Sequence, residues 1–164
     1  MRILKKILDV IFYTVFLLIL MINFVSILTT GILKKDYPLI FGYTYFEIAS
    51  NSMMPELKKG DVVIVKLNCN DYKVGDIITF KDTNFYTTHR IEKVESKNII
   101  TKGDSNNVQD DPTTFDNVVG KVIFKITGLG ILLHVFKNPI IIVIIVLLFL
   151  VMAFFDKKTK NEGK

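Results

Sequence analysis

Two long apolar runs enclose a mixed middle in this chain. Residues 10–28 are nineteen positions without a charge, close to the roughly 20 needed to cross the hydrocarbon core of a bilayer. The run continues into Thr29-Thr30-Gly31 with no Ala-x-Ala pattern, whereas a secretory signal has an apolar region of only about 7–15 residues before small residues at a cleavage site. An uncleaved membrane anchor is expected. Residues 140–155 are sixteen apolar positions after Pro139. Extended into the weakly polar stretch 128–138 they suffice for a second span; a buried helix of a soluble protein is the plainer alternative.

Between the spans the pattern changes to short β-rich runs, 45–49, 61–67, 76–81, 85–94, 98–101 and 118–126, broken by turn residues. Lys58-Lys59-Gly60-Asp61 and Lys73-Val74-Gly75-Asp76 each place Gly-Asp directly before an apolar run, a turn that opens a strand. Apart from a short helix expected around Ser52, no helical period interrupts this region. It is read as one mainly antiparallel β domain flanked by two transmembrane helices. Roughly 108 residues are enough for such a domain to bury its own core.

Charge sets the orientation. Arg2, Lys5 and Lys6 precede the first span, and Lys157, Lys158, Lys160 and Lys164 follow the second, as expected of cytoplasmic flanks. Lys34 and Lys35, just after the first span, run against this pattern. Both tails inside put the middle outside. The middle holds 14 basic and 13 acidic residues, so the clustered Lys and Arg of a nucleic-acid footprint are missing and nucleic acid is discarded as a partner. Cys69 is the single cysteine; it forms no intramolecular disulfide and is read as incidental. With no His or Cys cluster at ligand spacing, neither a zinc site nor any cofactor is expected.

Candidate chemistry lies in three stretches: Ser50-Asn51-Ser52-Met53-Met54-Pro55, Thr88-His89-Arg90-Ile91, and Lys102-Gly103-Asp104 followed by Asp110-Asp111-Pro112. In order they supply hydroxyls, an imidazole and carboxylates. A serine hydroxyl becomes a nucleophile only when a base takes its proton, and the histidines are His89 and His134. His134 sits in an apolar stretch and reads as an interfacial or packing residue. Met53 and Met54 read as apolar packing or membrane-facing surface. Each motif alone has an ordinary meaning: Ser-x-Ser suits turns, Asp-Asp-Pro suits loops, and a strand histidine is often only hydrogen-bonded.

Their order, spacing and position between two spans resemble signal peptidase I, the membrane-bound serine proteases that remove signal peptides, in the endoplasmic-reticulum, archaeal and sporulation-associated branch. The matching motifs are Ser-x-Ser-Met-x-Pro followed by Gly60-Asp61 and an apolar strand, Thr-His-Arg-Ile, and Lys-Gly-Asp with a second aspartate about six positions on. Asn51 stands where that family often has glycine. The resemblance implies Ser52 as nucleophile, His89 as general base, and Asp110 and Asp104 as supporting carboxylates. Asp111 competes for the second position because proline follows it. The Ser52 amide and Ser50 hydroxyl are candidate oxyanion donors, with turn capping the alternative role for Ser50.

The implied organisation is a cytoplasmic tail 1–6, a span 7–30, an extracytoplasmic catalytic domain 31–138, a span 139–155 and a cytoplasmic tail 156–164. The implied substrates are secretory preproteins cut after small residues, usually Ala-x-Ala, at the surface of membrane lipid. Association with the translocon or accessory subunits is also implied. A catalytically silent binding scaffold of the same fold and a membrane-anchored autoprotease regulator are the alternatives.

Overall fold

Seven strands form a single antiparallel sheet in the computed structural model, which describes residues 2–137 except 84, and residues 140, 141, 143–147 and 149. The strands are β1 (Tyr43–Glu47), β2 (Val62–Leu67), β3 (Ile77–Asp82), β4 (Phe85–Val94), β5 (Asn98–Lys102), β6 (Thr113–Thr114) and β7 (Val118–Ile126). Their order across the sheet is β1-β2-β7-β3-β4-β5-β6. Strand starts follow the two Gly-Asp turns. In each, the glycine takes a positive φ, +87° at Gly60 and +93° at Gly75, which costs a residue without a side chain little. The next aspartate then accepts the amide three residues back, Lys58 N to Asp61 Oδ2 and Lys73 N to Asp76 Oδ2, both at 2.9 Å.

Two apolar clusters pack on the sheet, with neighbouring Ile77 and Ile78 of β3 contributing to one each. One combines Ile48, Met53 and Leu57 with Val63 and Val65 of β2. The other joins Ile78 and Phe80 of β3, Ile91 of β4 and Ile99 of β5. Burying each such side chain contributes about 1.5–3 kcal/mol. The first cluster therefore anchors the turn carrying Ser52, and the second anchors the strand carrying His89. The short helix expected around Ser52 is instead a series of turns over residues 50–57, with Leu57 N bonded to Met53 O at 2.8 Å.

Among the described residues, one helix is long and apolar enough to cross a membrane, Asp9–Ile32, with a mean hydropathy of 2.6. It takes in all but the first turns of α1 (Arg2–Ser26) and a π-helical continuation, Ile27–Ile32. At 1.5 Å per residue its length is roughly 36 Å. Thr29 and Thr30 satisfy their hydroxyls on backbone carbonyls one turn back, at 2.8 Å to Val25 and 2.7 Å to Ser26, so the polar end of the helix stays helical. Helix α2 (Leu129–Lys137) leaves the end of β7 and contains His134, the surroundings of whose side chain lie outside the described residues. The second expected span, 139–155, is described only in part, and the tail 156–164 lies outside the described residues. Of that span, residues 140, 141, 143–147 and 149 are helical, and Phe149 stacks on Phe16 of α1 at 4.6 Å between ring centroids.

Candidate active site

The sheet brings residues 52, 89 and 110 together from three distant parts of the chain. His89 lies on β4 opposite Ile78 of β3, facing the second apolar cluster, and is only 7 % exposed. Its Nε2 is 3.0 Å from Ser52 Oγ, and its Nδ1 is 2.6 Å from Asp110 Oδ2. An ionised carboxylate only accepts, so Nδ1 carries the proton that binds Asp110. In the neutral ring Nε2 is then left as an acceptor for the serine hydroxyl.

Asp110 is itself held at two points. Its carboxylate accepts the Thr101 hydroxyl at 2.7 Å, and its amide donates to the Thr101 carbonyl at 2.8 Å. Thr101 is fully buried in β5 opposite Ile91. Asp111, one residue later, is exposed and lines a separate cavity with Pro112, Thr113 and Asp82.

The neighbouring residue on β4 has the other aspartate. Side chains alternate along a strand, so Arg90 projects from the face opposite His89. It donates to both oxygens of Asp104, each at 2.8 Å, and to the Gly75 carbonyl at 2.9 Å. The bond to Asp104 raises the Arg90 guanidinium above its ordinary value, with burial working against it. Asp104 is thus joined to Arg90, not brought to His89.

The loop carrying Asp104 also holds the serine turn. Ser105 N donates to the Ser52 carbonyl and Ser105 Oγ to the Asn51 carbonyl, both at 2.9 Å. A Cβ on Gly103 would stand 2.7 Å from the Ser52 carbonyl oxygen, so glycine is required for this approach. Asn51 Oδ1 accepts the Lys59 amide at 3.0 Å, closing the other side of the turn. Ser50 Oγ lies 3.1 Å from Ser52 Oγ and 3.4 Å from the Ser52 amide. Thr101, Arg90 and Ser105 were not among the expected site residues. Arg90 beside His89 in Thr-His-Arg-Ile was the available signal for one of them.

A cleft of about 310 Å³ opens at Ser52 and His89. Residues 47–50 line one side and residues 86–89 the other. Both sides offer backbone: β1 is the first strand of the sheet, and the ladder from β4 to β5 covers only Arg90 to Val94, leaving 85–89 bonded to β3 alone in the named ladders. Among the described residues no group of three or more His, Cys, Asp or Glu is arranged to hold a metal ion.

The Peptidase S24-like family model matches residues 41–123, half of the chain, and spans both the serine turn and the histidine strand. The chain is 34 % identical over 122 residues to signal peptidase I W of Bacillus subtilis (strain 168), covering 70 % of this chain and 63 % of that one. It is 31 % identical over 99 residues to the signal peptidase complex catalytic subunit sec11 of Dictyostelium discoideum, covering 54 % and 55 %. The chain therefore spans less than two thirds of the length of either relative.

Proposed function

The chain belongs to the Peptidase S24-like family, its relatives include signal peptidases, and on that premise we propose that it is a membrane-bound serine endopeptidase removing signal peptides from translocated preproteins. The observation that carries the reading is the line of hydrogen bonds from Ser52 Oγ through His89 to Asp110, at 3.0 and 2.6 Å, opening onto a cleft with backbone on both sides.

In this mechanism neutral His89 takes the Ser52 proton at Nε2 as the hydroxyl oxygen attacks the scissile carbonyl, and then gives it to the departing amine. Asp110 keeps Nδ1 protonated and stabilises the imidazolium that forms, without itself accepting the proton. The oxyanion is met by the Ser52 amide and the Ser50 hydroxyl, each donor worth about 10²–10³ in rate. Water then repeats the sequence on the ester and releases the signal peptide. Asp104 acts at one remove: through Arg90 and Ser105 it keeps the serine turn and the histidine strand in register.

The preprotein lies extended between residues 47–50 and 86–89, adding a strand to the sheet edge. The Asp9–Ile32 helix and the span expected at 139–155 keep this cleft at the outer membrane surface, with both termini in the cytoplasm. Small residues precede the cut, and accessory subunits or the translocon deliver the substrate.

The test is addition of a model preprotein in trans to membranes holding the full chain, followed by mass determination of the mature product. Cleavage at the signal junction is expected. Cleavage of the chain itself with the preprotein left intact would identify an autoprotease regulator, and binding without cleavage would identify a silent scaffold.

A further inference from the structure

The wall of the cleft opposite the serine turn includes Tyr86, and what holds Tyr86 comes from an unexpected part of the chain. Asp36 and Tyr37 lie four and five residues beyond the end of the membrane-spanning helix at Ile32. The Tyr86 hydroxyl donates to Asp36 Oδ2 at 2.9 Å, and Lys81 Nζ, from the neighbouring strand, donates to the same oxygen at 2.7 Å. The Tyr37 ring meets the Tyr86 ring edge-on, centroids 5.7 Å apart, and Phe46 of β1 packs against both at 5.7 and 5.1 Å. Lys81 also lies 5.9 Å from the centre of the Tyr86 ring.

Lys81 and Asp36 are half exposed, 47 % and 56 %, so their ion pair alone holds little in water. The directional bond to the phenol and the three-ring cluster hold the segment in place. Burial, followed by the Asp36 bond, pushes the Tyr86 phenol up to about 12, so it remains a donor throughout the physiological range.

Position along β4 gives this contact a consequence. Tyr86 precedes His89 by three residues, about 10 Å at 3.3 Å per residue. In a peptide bound as a strand, the residue before the cut lies against Ser52 and His89. The side chain two positions upstream points to the same face, about 7 Å away, toward the end of the cleft that Tyr86 lines.

We propose that the juxtamembrane pair Asp36 and Tyr37 is a positioning element that fixes the Tyr86 ring and thereby restricts the third substrate residue before the cut to small side chains. The proposal rests on the peptidase reading above. It makes substrate selectivity depend on the segment that joins the membrane helix to the sheet, so anchor and specificity share one contact.

The test uses the full chain in lipid vesicles and preproteins carrying Ala or Leu at that third position. The readout is the ratio of kcat/KM for the two, which a general loss of folded enzyme does not move. Wild type favours Ala by about 100-fold, within the range that a close apolar pocket provides. Asp36→Ala and Tyr37→Ala each lower the ratio about 10-fold. Tyr86→Phe lowers it to a similar extent, and combining it with Asp36→Ala adds nothing further because the two share one contact. Should Asp36→Ala fail to accumulate, Tyr86→Phe decides, since it removes only a hydroxyl. An unchanged ratio in these variants, with the Ala preprotein still cleaved, overturns the proposal and leaves the peptidase standing. No cleavage of the Ala preprotein by wild type overturns the peptidase reading and this proposal with it.

Discussion

His89 and Arg90 are adjacent on one strand and each binds an aspartate, yet the two arms are built differently. The His89 arm points into the protein: the ring is 7 % exposed, and Asp110 is fastened through the buried Thr101 hydroxyl. The Arg90 arm points the other way into a partly buried bracket, where the guanidinium ties Asp104 to the Gly75 turn. The first arm ends on a hydroxyl that can react, and the second ends on backbone. One carboxylate therefore meets the imidazole and the other ties a loop, a division that spacing along the chain does not show.

The division is broken first at His89. His89→Ala is expected to lower preprotein cleavage about 10⁶-fold, the cost typical of removing a member that acts as a unit with the nucleophile. Asp110→Asn, which offers His89 the wrong partner for its Nδ1 proton, is expected to cost about 10⁴-fold in kcat with KM little changed. Asp104→Asn and Arg90→Ala should each cost about 10²-fold, as expected when a reacting group shifts by about 1 Å. Equal losses for Asp104→Asn and Asp110→Asn, measured as kcat on one preprotein, would erase the distinction between the arms. Asp111→Asn should stay within about twofold, as for an exposed substitution away from such features.

The smallest effect is spectroscopic. The folded Tyr86 phenol, raised from 10 to about 12, makes its neutral form's contribution in full below pH 10 and loses it as pH rises through about 12. Ultraviolet titration of the full chain should show a tyrosine titrating near 12 that disappears in Tyr86→Phe, while Tyr72, also raised by burial, stays in both.

Much of the sheet was legible because its boundaries rest on local chemistry. Gly60-Asp61 and Gly75-Asp76 mark strand starts through bonds made within four residues, and the runs 61–67 and 76–81 agree with β2 and β3 to within one residue. β6 escaped notice because two residues, Thr113 and Thr114, carry no period. The serine turn invited a short helix around Ser52, but Met53 and Leu57 are drawn into the core and the chain closes as turns. At the site, the motifs pointed to the residues but not to their pairings. Spacing favoured Asp110, with the proline after Asp111 keeping that residue in competition; the backbone bond from Asp110 to Thr101 accompanies the contact of Asp110 with His89. Asp104 reaches Arg90 only because β4 and β5 align Arg90 with Lys102, a register decided by long-range packing.

The central claim is that Ser52 is the nucleophile, and the most direct measurement is the rate of signal-junction cleavage in membranes by wild type and Ser52→Ala at equal amounts of folded chain. The account predicts that the variant falls about 10⁶-fold, close to the level left by binding alone. Cleavage by Ser52→Ala at the wild-type rate and at the same junction would contradict it and send the search for the nucleophile elsewhere in the cleft.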